Sequence, residues 1–184
     1  MPDAHQENTI WASELVGAEV VSSKGSVARV TGLVISSSAR VLALRVQPAG
    51  ASPTPRPIQD EQLLLFDAAL GYAPGRVRVL SADDFVVPAQ VPSLFGQLAA
   101  PSVLGSPLRE VTGVVVGYLW DVLLHRLSGE FIQYRIGATP RPAEGRANVL
   151  TSCQLCSFLQ GELTVQSGDA EFLRGLLGQV SRSA

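Results

Sequence analysis

The stretch LVGAEVVSSKGSVARVTGLVI, residues 15–35, consists of two apolar runs joined by a short polar turn. Much of its pattern returns as VLGSPLREVTGVVVGYLWDVLL, residues 103–124. Internal repetition is the signature of a structural unit that occurs more than once along a chain. The sequence therefore predicts a duplicated module, and the rest of the chain can be compared between the two copies.

The repeat extends well beyond this opening stretch, and the order of its parts is the same in both copies. A glycine pair with constant spacing comes first, then an alternating segment, a proline loop and a second alternating segment. The matched parts are Gly17 and Gly25 with Gly105 and Gly113, RVLALRV (40–46) with EFIQYRI (130–136), TPRP (54–57) with TPRP (139–142), and GRVRVLSAD (from 75) with GELTVQSGD (from 161).

The alternating segments have the period of a β-strand with one buried face. Val77 and Val79 alternate with arginines, and Leu163 and Val165 alternate with polar residues. In the earlier pair of segments the predicted inward residues are Leu42, Leu44 and Val46 in the first copy and Ile132, Tyr134 and Ile136 in the second, with Phe131, Gln133 and Arg135 outward.

Short polar clusters containing glycine or serine separate these strands. They are SSKGS at 22–26, SSSAR at 36–40 and RLSG at 126–129. Such clusters between alternating segments are typical of hairpin turns. Several short strands joined by tight turns favour a small barrel or sandwich, and a barrel also removes the exposed edges of a sheet.

The ordered series of an L-[VI]-G start, an eight-residue glycine spacing, a valine hairpin and an R-V-rich strand resembles the PRC-barrel family. That family includes the H subunit of the photosynthetic reaction centre, and a related barrel occurs in the bacterial ribosome maturation factor. The resemblance implies two tandem barrels. The aspartate that members often carry after the hairpin is present as Asp121, whereas Gly32 replaces it in the first copy.

The predicted fold is mainly β, with two small PRC-like antiparallel β-barrels in tandem and a short C-terminal helix. Barrels of about 70 residues have small cores, so we expect them to pack together or to form a homodimer. The apolar linker either lies against a barrel or bridges the two. The predicted boundaries are a polar tail (1–9), barrel 1 (10–82), a proline-containing linker (83–97), barrel 2 (98–168) and a helix with tail (169–184).

Composition and charge limit the function classes. The chain has 184 residues, 46% of them hydrophobic and 16% charged, with a net charge of −2. A basic stripe typical of nucleic-acid binding is not visible, so we expect no direct nucleic-acid partner. The sequence contains neither a membrane-spanning run nor a secretory signal, and its two cysteines are too few for a disulfide framework. We therefore expect a cytoplasmic protein without a transmembrane segment.

Residues that could carry chemistry are few. Cys153 and Cys156 form a single CxxC motif, which lacks a second pair of zinc ligands and a thioredoxin-like context. His125 stands at a predicted turn. The acidic residues Asp83 and Asp169 are interpreted as helix caps. We expect no catalytic, cofactor or metal site, and hence no enzyme.

Large side chains on predicted outward positions are the better candidates for function. Trp120, Phe131 and Arg135 form a possible partner or inter-barrel surface, since exposed apolar groups are typical of interfaces. We therefore expect a non-enzymatic adaptor or assembly module that contacts another protein. The alternatives are a ribosome- or RNA-processing-associated factor, by analogy with the maturation factor, and a redox protein that uses Cys153 and Cys156.

Overall fold

The protein consists of two compact units, seen in a computed structural model that describes residues 8–50, 61–94, 104–141, 148–152, 156–159 and 162–180. The two proline loops that contain TPRP and the residue Cys153 fall wholly or partly outside these ranges. Unit 1 comprises Met1–Ser36, Arg40–Ala100 and Leu124–Glu130, and unit 2 comprises Ser37–Ala39, Pro101–Leu123 and Phe131–Ala184.

The first half of the chain contains eight short strands and one turn of helix within the described ranges. They are β1 (Thr9–Trp11), α1 (Ala12–Leu15), β2 (Glu19–Ser22), β3 (Gly25–Ile35), β4 (Val41–Pro48), β5 (Gln62–Leu65), β6 (Gly71–Ala73), β7 (Arg76–Arg78) and β8 (Phe85–Val86). Short 3₁₀ helices lie at Phe66–Ala68, Ala82–Asp84, Pro88–Gln90 and Pro92–Leu94.

The second half repeats the six strands from β2 to β7 and ends in a longer helix. Its elements are β9 (Pro107–Glu110), β10 (Val115–His125), β11 (Phe131–Gly137), β12 (Asn148–Ser152), β13 (Cys156–Leu159), β14 (Glu162–Val165) and α2 (Ser167–Val180). The predicted mainly β fold with a C-terminal helix is therefore confirmed.

The two halves form sheets with the same strand order. The first sheet runs β6-β7-β2-β3-β4-β5, with β8 added at its end, and the second runs β13-β14-β9-β10-β11-β12. Most pairs are antiparallel, but each sheet contains one parallel pair, β2 with β7 in the first and β9 with β14 in the second. Equal connectivity in both halves supports the duplication predicted from the sequence.

The repeated glycines make the same backbone contacts in both copies. Gly17 and Gly105 both have a φ of +89°, a conformation that glycine adopts without strain. The N–H of Gly17 donates to the carbonyl of Val30 at 2.9 Å, and the N–H of Gly105 donates to the carbonyl of Leu119 at 2.6 Å. Val30 and Leu119 are equivalent in the repeat once one extra residue in the second copy is allowed for, so the two copies share this hydrogen bond.

Closure of the sheets differs from the expectation. Neither sheet closes on itself over the described residues, so the structure shows two open, mainly antiparallel sheets. A barrel would require the two edge strands of a sheet to pair with each other, and no such pairing occurs within these ranges. The parallel pairs nevertheless bring β7 back beside β2 and β14 back beside β9.

The linker packs on unit 1. Val34, Ala43 and Leu63 form a buried cluster with Leu94, and Val86 lies against it. Over residues 86–94 the linker therefore lies against the first sheet. This packing also explains why β4 departs from simple alternation: Ala43, on the face expected to be outward, is fully buried.

The predicted C-terminal helix is present as α2, but it begins two residues earlier than the predicted boundary at residue 169. Its start at Ser167 places Asp169 within the first turn rather than at the N-cap, where an acidic side chain still interacts favourably with the helix dipole. Leu173 and Leu177 are buried, whereas Phe172 is 58% exposed, so the helix packs through one side.

The predicted cap at Asp83 is also replaced by neighbours. Ser81 is the N-cap of the 3₁₀ helix Ala82–Asp84, and its hydroxyl accepts a hydrogen bond from the N–H of Asp83 at 3.0 Å. The Asp84 carboxylate accepts from the N–H groups of Leu80 and Ser81. A serine three residues before an acidic residue is the capping-box pattern, so the N-cap is Ser81 and not Asp83.

Candidate interaction surfaces

Trp120 lies inside unit 2. Its side chain packs over Gly137, and its indole N–H donates to the carbonyl of Thr139 at 2.6 Å. Only 6% of the residue is exposed. The missing side chain of Gly137 provides the space for the indole, so this tryptophan serves the core of its own unit.

Phe131 is also buried, at 7% exposure, while the next residue, Ile132, is 36% exposed. The Phe131 ring meets Tyr134 edge-on with 6.0 Å between the ring centroids. The predicted alternation therefore holds for Tyr134 and Ile136, which are buried, but is reversed at the start of β11. The aromatic pair accounts for this reversal, since edge-on rings stabilise each other.

Arg135 is the most accessible of the three predicted surface residues, with 36% of its side chain exposed. Its guanidinium lies 3.9 Å from the carboxylate of Asp121, which is buried. The same carboxylate accepts the N–H of Val122 at 2.9 Å. A buried carboxylate is costly without such partners, so Arg135 compensates for Asp121 within unit 2.

His125 lies at the start of the predicted turn, and the structure adds side-chain hydrogen bonds that the sequence did not indicate. Ser128 donates its N–H to Nδ1 of His125 at 3.3 Å, and its hydroxyl lies 3.2 Å from that nitrogen. The hydroxyl also donates to the carboxylate of Glu130 at 3.1 Å. In a catalytic triad the imidazole stands between the hydroxyl and the carboxylate, whereas here the serine does. The H-x-x-S-x-E spacing around a glycine was the available signal, and it describes a turn.

The cysteine motif is only half described. Cys156 on β13 is buried at 3% exposure, and Cys153 lies outside the described ranges. Within those ranges no group of three or more histidine, cysteine, aspartate or glutamate side chains is placed to hold a metal ion.

The connection between β9 and β10 exposes three valines, and we call it the valine turn. Val111, Val114 and Val115 are 56%, 54% and 38% exposed. The turn is well ordered by its backbone, since the N–H of Glu110 donates to the carbonyl of Val114 at 2.8 Å and the N–H of Gly113 donates to the carbonyl of Glu110 at 2.7 Å. The valines are therefore presented on a fixed loop.

The equivalent turn of the first copy is polar. It consists of Ser22, Ser23, Lys24, Gly25 and Ser26. The Ser22 hydroxyl accepts a hydrogen bond from the N–H of Lys24 at 3.2 Å, so a side chain of the turn binds one of its own backbone groups. The apolar character is therefore specific to the second copy and is not needed to form the turn.

A second surface lies on unit 1, and we call it the arginine face. Glu19 of β2 pairs directly with Arg76 of β7 on one side and with Arg29 of β3 on the other. Residues directly opposite each other on neighbouring strands share a face of the sheet. Arg78, two residues after Arg76, lies on the same face, and all four side chains are exposed.

A cavity of about 310 Å³ opens beside this row. Glu19, Arg29, Ser26 and Gln47 are among the residues that line it. Val77, between the two arginines of β7, is fully buried on the opposite face. The sequence predicts the alternation of β7 but does not place Arg29 on the same face of the sheet, because that placement requires the pairing of β2 with both β7 and β3.

Comparison with known proteins adds no relative: no protein-family model matches the chain, and no curated protein matches it at a significant level. Over the described residues, none of the helices has the length and apolar character needed to cross a membrane.

Proposed function

We propose that the chain is a non-enzymatic, cytoplasmic protein-binding module that acts as an adaptor or assembly factor, with two PRC-like barrels as its scaffold. The observation that carries the proposal is the valine turn. Three valines close together on an ordered loop form an apolar patch of the kind that marks interfaces. The equal strand order of the two sheets supports a duplicated scaffold.

The energetics of the valine turn suit a moderate protein contact. Complete burial of a valine side chain gains about 1.5 kcal/mol or more. Val111 and Val114 are each a little over half exposed, so docking gains about 1 kcal/mol for each of them. Loss of one such contact weakens binding about fivefold.

A site-specific crosslinking experiment tests the proposal. A photoreactive amino acid replaces Val111 in the full chain, and Ser23, the equivalent position of the polar turn, is the matched control. We expect a protein adduct from position 111 that is absent from position 23 and that is reduced when Val114→Ser is added. Circular dichroism and the melting temperature verify that the variants remain folded.

The products separate the alternatives. A distinct protein that then binds the purified chain, weakened by Val114→Ser, supports the adaptor role, and a ribosomal protein among such products identifies the ribosome-associated version of it. Adducts only with a second copy of the chain would make the turn a dimer contact and overturn the adaptor role. Equal adducts from both positions would also overturn it.

A further inference from the structure

The charges on the arginine face are not balanced within unit 1. Arg45, elsewhere on the first sheet, is paired with Glu61 at 2.7 Å. By contrast, no ion pair or hydrogen bond of the guanidinium groups of Arg29, Arg76 or Arg78 occurs among the described residues. Three exposed arginines around one glutamate leave a net positive surface on a chain whose net charge is −2.

From this geometry we infer that the arginine face binds an acidic segment of a partner protein in an extended conformation. Arg76 and Arg78 are two residues apart on one strand, hence about 6.6 Å apart along it. Acidic residues at alternate positions of an extended peptide have the same spacing and the same side. Guanidinium groups bind carboxylates through two parallel hydrogen bonds, so the two rows match in charge, spacing and geometry.

The end of β7 adds an apolar element to the recognition. Leu80 continues the alternation of Arg76 and Arg78 beyond the strand and is 69% exposed. The complementary segment therefore has two acidic residues at alternate positions, with an apolar residue at the next alternate position on the side of Leu80. This surface belongs to unit 1 and the valine turn to unit 2, and they share no residue, so the inference goes beyond the proposed function.

The observations favour a protein segment over a nucleic acid. Glu19 stands between Arg76 and Arg29 on the pairing strands and repels a continuous row of phosphates. Three arginines neutralise about three phosphates, whereas proteins that bind nucleic acid tightly make roughly six to ten phosphate contacts. A peptide, unlike a phosphate backbone, can place a neutral or basic residue opposite Glu19.

Fluorescence anisotropy with the full chain tests the inference. The probe is a labelled synthetic peptide with alternating glutamates followed by leucine, and the control peptide has glutamine in place of each glutamate. We expect binding of the glutamate peptide alone, with affinity falling about tenfold between low and moderate salt. Arg76→Glu and Arg78→Glu should each reduce its affinity about tenfold or more, while Arg141→Glu, the same charge change at an exposed arginine of unit 2, leaves it unchanged.

Two further variants sharpen the result. Glu19→Gln removes the repulsive charge and should tighten binding of the acidic peptide about threefold, an effect that a merely structural role of Glu19 would not produce. Val114→Ser should leave peptide binding unchanged, so failure of the valine turn as a contact does not affect this test.

Three results would overturn the inference. They are no binding of the glutamate peptide, equal loss of affinity in Arg141→Glu, and tighter binding of a single-stranded RNA of equal charge that depends on Arg76 and Arg78. The last result would assign the face to nucleic acid instead.

Discussion

At the scale of single residues, the contact between Trp120 and Gly137 makes a sharp prediction. A Cβ atom at Gly137 would overlap the indole ring of Trp120, and overpacking of this kind costs about 3 kcal/mol. Gly137→Ala should therefore lower the urea midpoint strongly and shift the tryptophan emission to longer wavelength, because the indole loses its buried position.

Gly175 provides the matched control for this substitution. It lies in α2, and a Cβ atom there meets nothing within 4 Å. Gly175→Ala should raise stability by up to about 1 kcal/mol, because alanine is the better helix former. If Gly137→Ala is as harmless as Gly175→Ala, the placement of Trp120 is wrong.

Tyr72 predicts a pH dependence. Its ring stacks on Phe66 with 4.4 Å between centroids, and its hydroxyl donates to the Phe66 carbonyl. Burial, with a smaller contribution from the charge of Asp67, raises the pKa of the Tyr72 hydroxyl well above its ordinary value of 10.0. The folded state thus keeps a proton that the unfolded state releases above pH 10, and stability falls as pH rises from there.

Tyr72→Phe tests this linkage. Near neutral pH the variant should be less stable by about 1 kcal/mol, because the Phe66 carbonyl loses its donor. Between about pH 10 and about pH 11 the wild type loses about 1 kcal/mol that the variant keeps, so the two unfolding free energies should converge. A difference that stays constant in urea titrations across this range would contradict the assignment.

At the scale of elements, one ionic contact attaches α2 to β9. Arg174 pairs with Glu110 at 2.6 Å. A hydrogen bond from the Ser167 side chain, followed by the contact with Arg174, holds the pKa of the Glu110 carboxyl below its ordinary value of 4.5. A lowered pKa stabilises the fold above pH 4.5, and this stabilisation disappears as the pH falls through the lowered value.

Glu110→Gln should therefore lower the melting temperature at neutral pH but have little effect below the lowered pKa of Glu110. Glu171→Gln makes the same chemical change at an exposed position of α2 and is the control. The measurement is the melting temperature of all three proteins from neutral pH to well below pH 4.5. An equal difference between wild type and Glu110→Gln at every pH would show that the charge does not contribute.

The sequence predicts the buried residues of some strands better than those of others. Strands with a single buried face were predictable, as β7 and β14 show: Val77, Leu163 and Val165 are buried. β4 was not, because the linker covers its second face and buries Ala43. Periodicity reports one packed face, whereas burial on both faces depends on segments that are distant in sequence.

The candidate surfaces illustrate the same limit. Exposed apolar residues in the valine turn read as core in a sequence, since valine is usually buried. The arginine face requires the pairing of β2 with both β3 and β7, which no local pattern encodes. Trp120 was predicted to lie on an outward face, but it is buried against Gly137, seventeen positions later.

At the scale of the whole molecule, the repeat does not predict which unit each segment of the chain belongs to. Unit 1 includes Leu124–Glu130, the end of β10 and the turn that follows it, although these residues belong to the second sequence copy. Within unit 1, the N–H of Val41 donates to the carbonyl of Gly129 at 2.9 Å. The stability of unit 1 should therefore depend on this turn.

Two glycines with nearly the same backbone conformation test that dependence. Gly75 has a φ of +70° and open space at its Cβ position, whereas Gly129 has a φ of +71° and a Cβ position 2.6 Å from the carbonyl oxygen of Val41. Gly75→Ala should cost only the strain of the left-handed conformation, about 1 kcal/mol, and Gly129→Ala about 2 kcal/mol more from overpacking. In Gly129→Ala, hydrogen exchange should show reduced protection of the amides of β4 and β5. An equal loss of unfolding free energy in the two variants would contradict a contribution of this turn to the stability of unit 1.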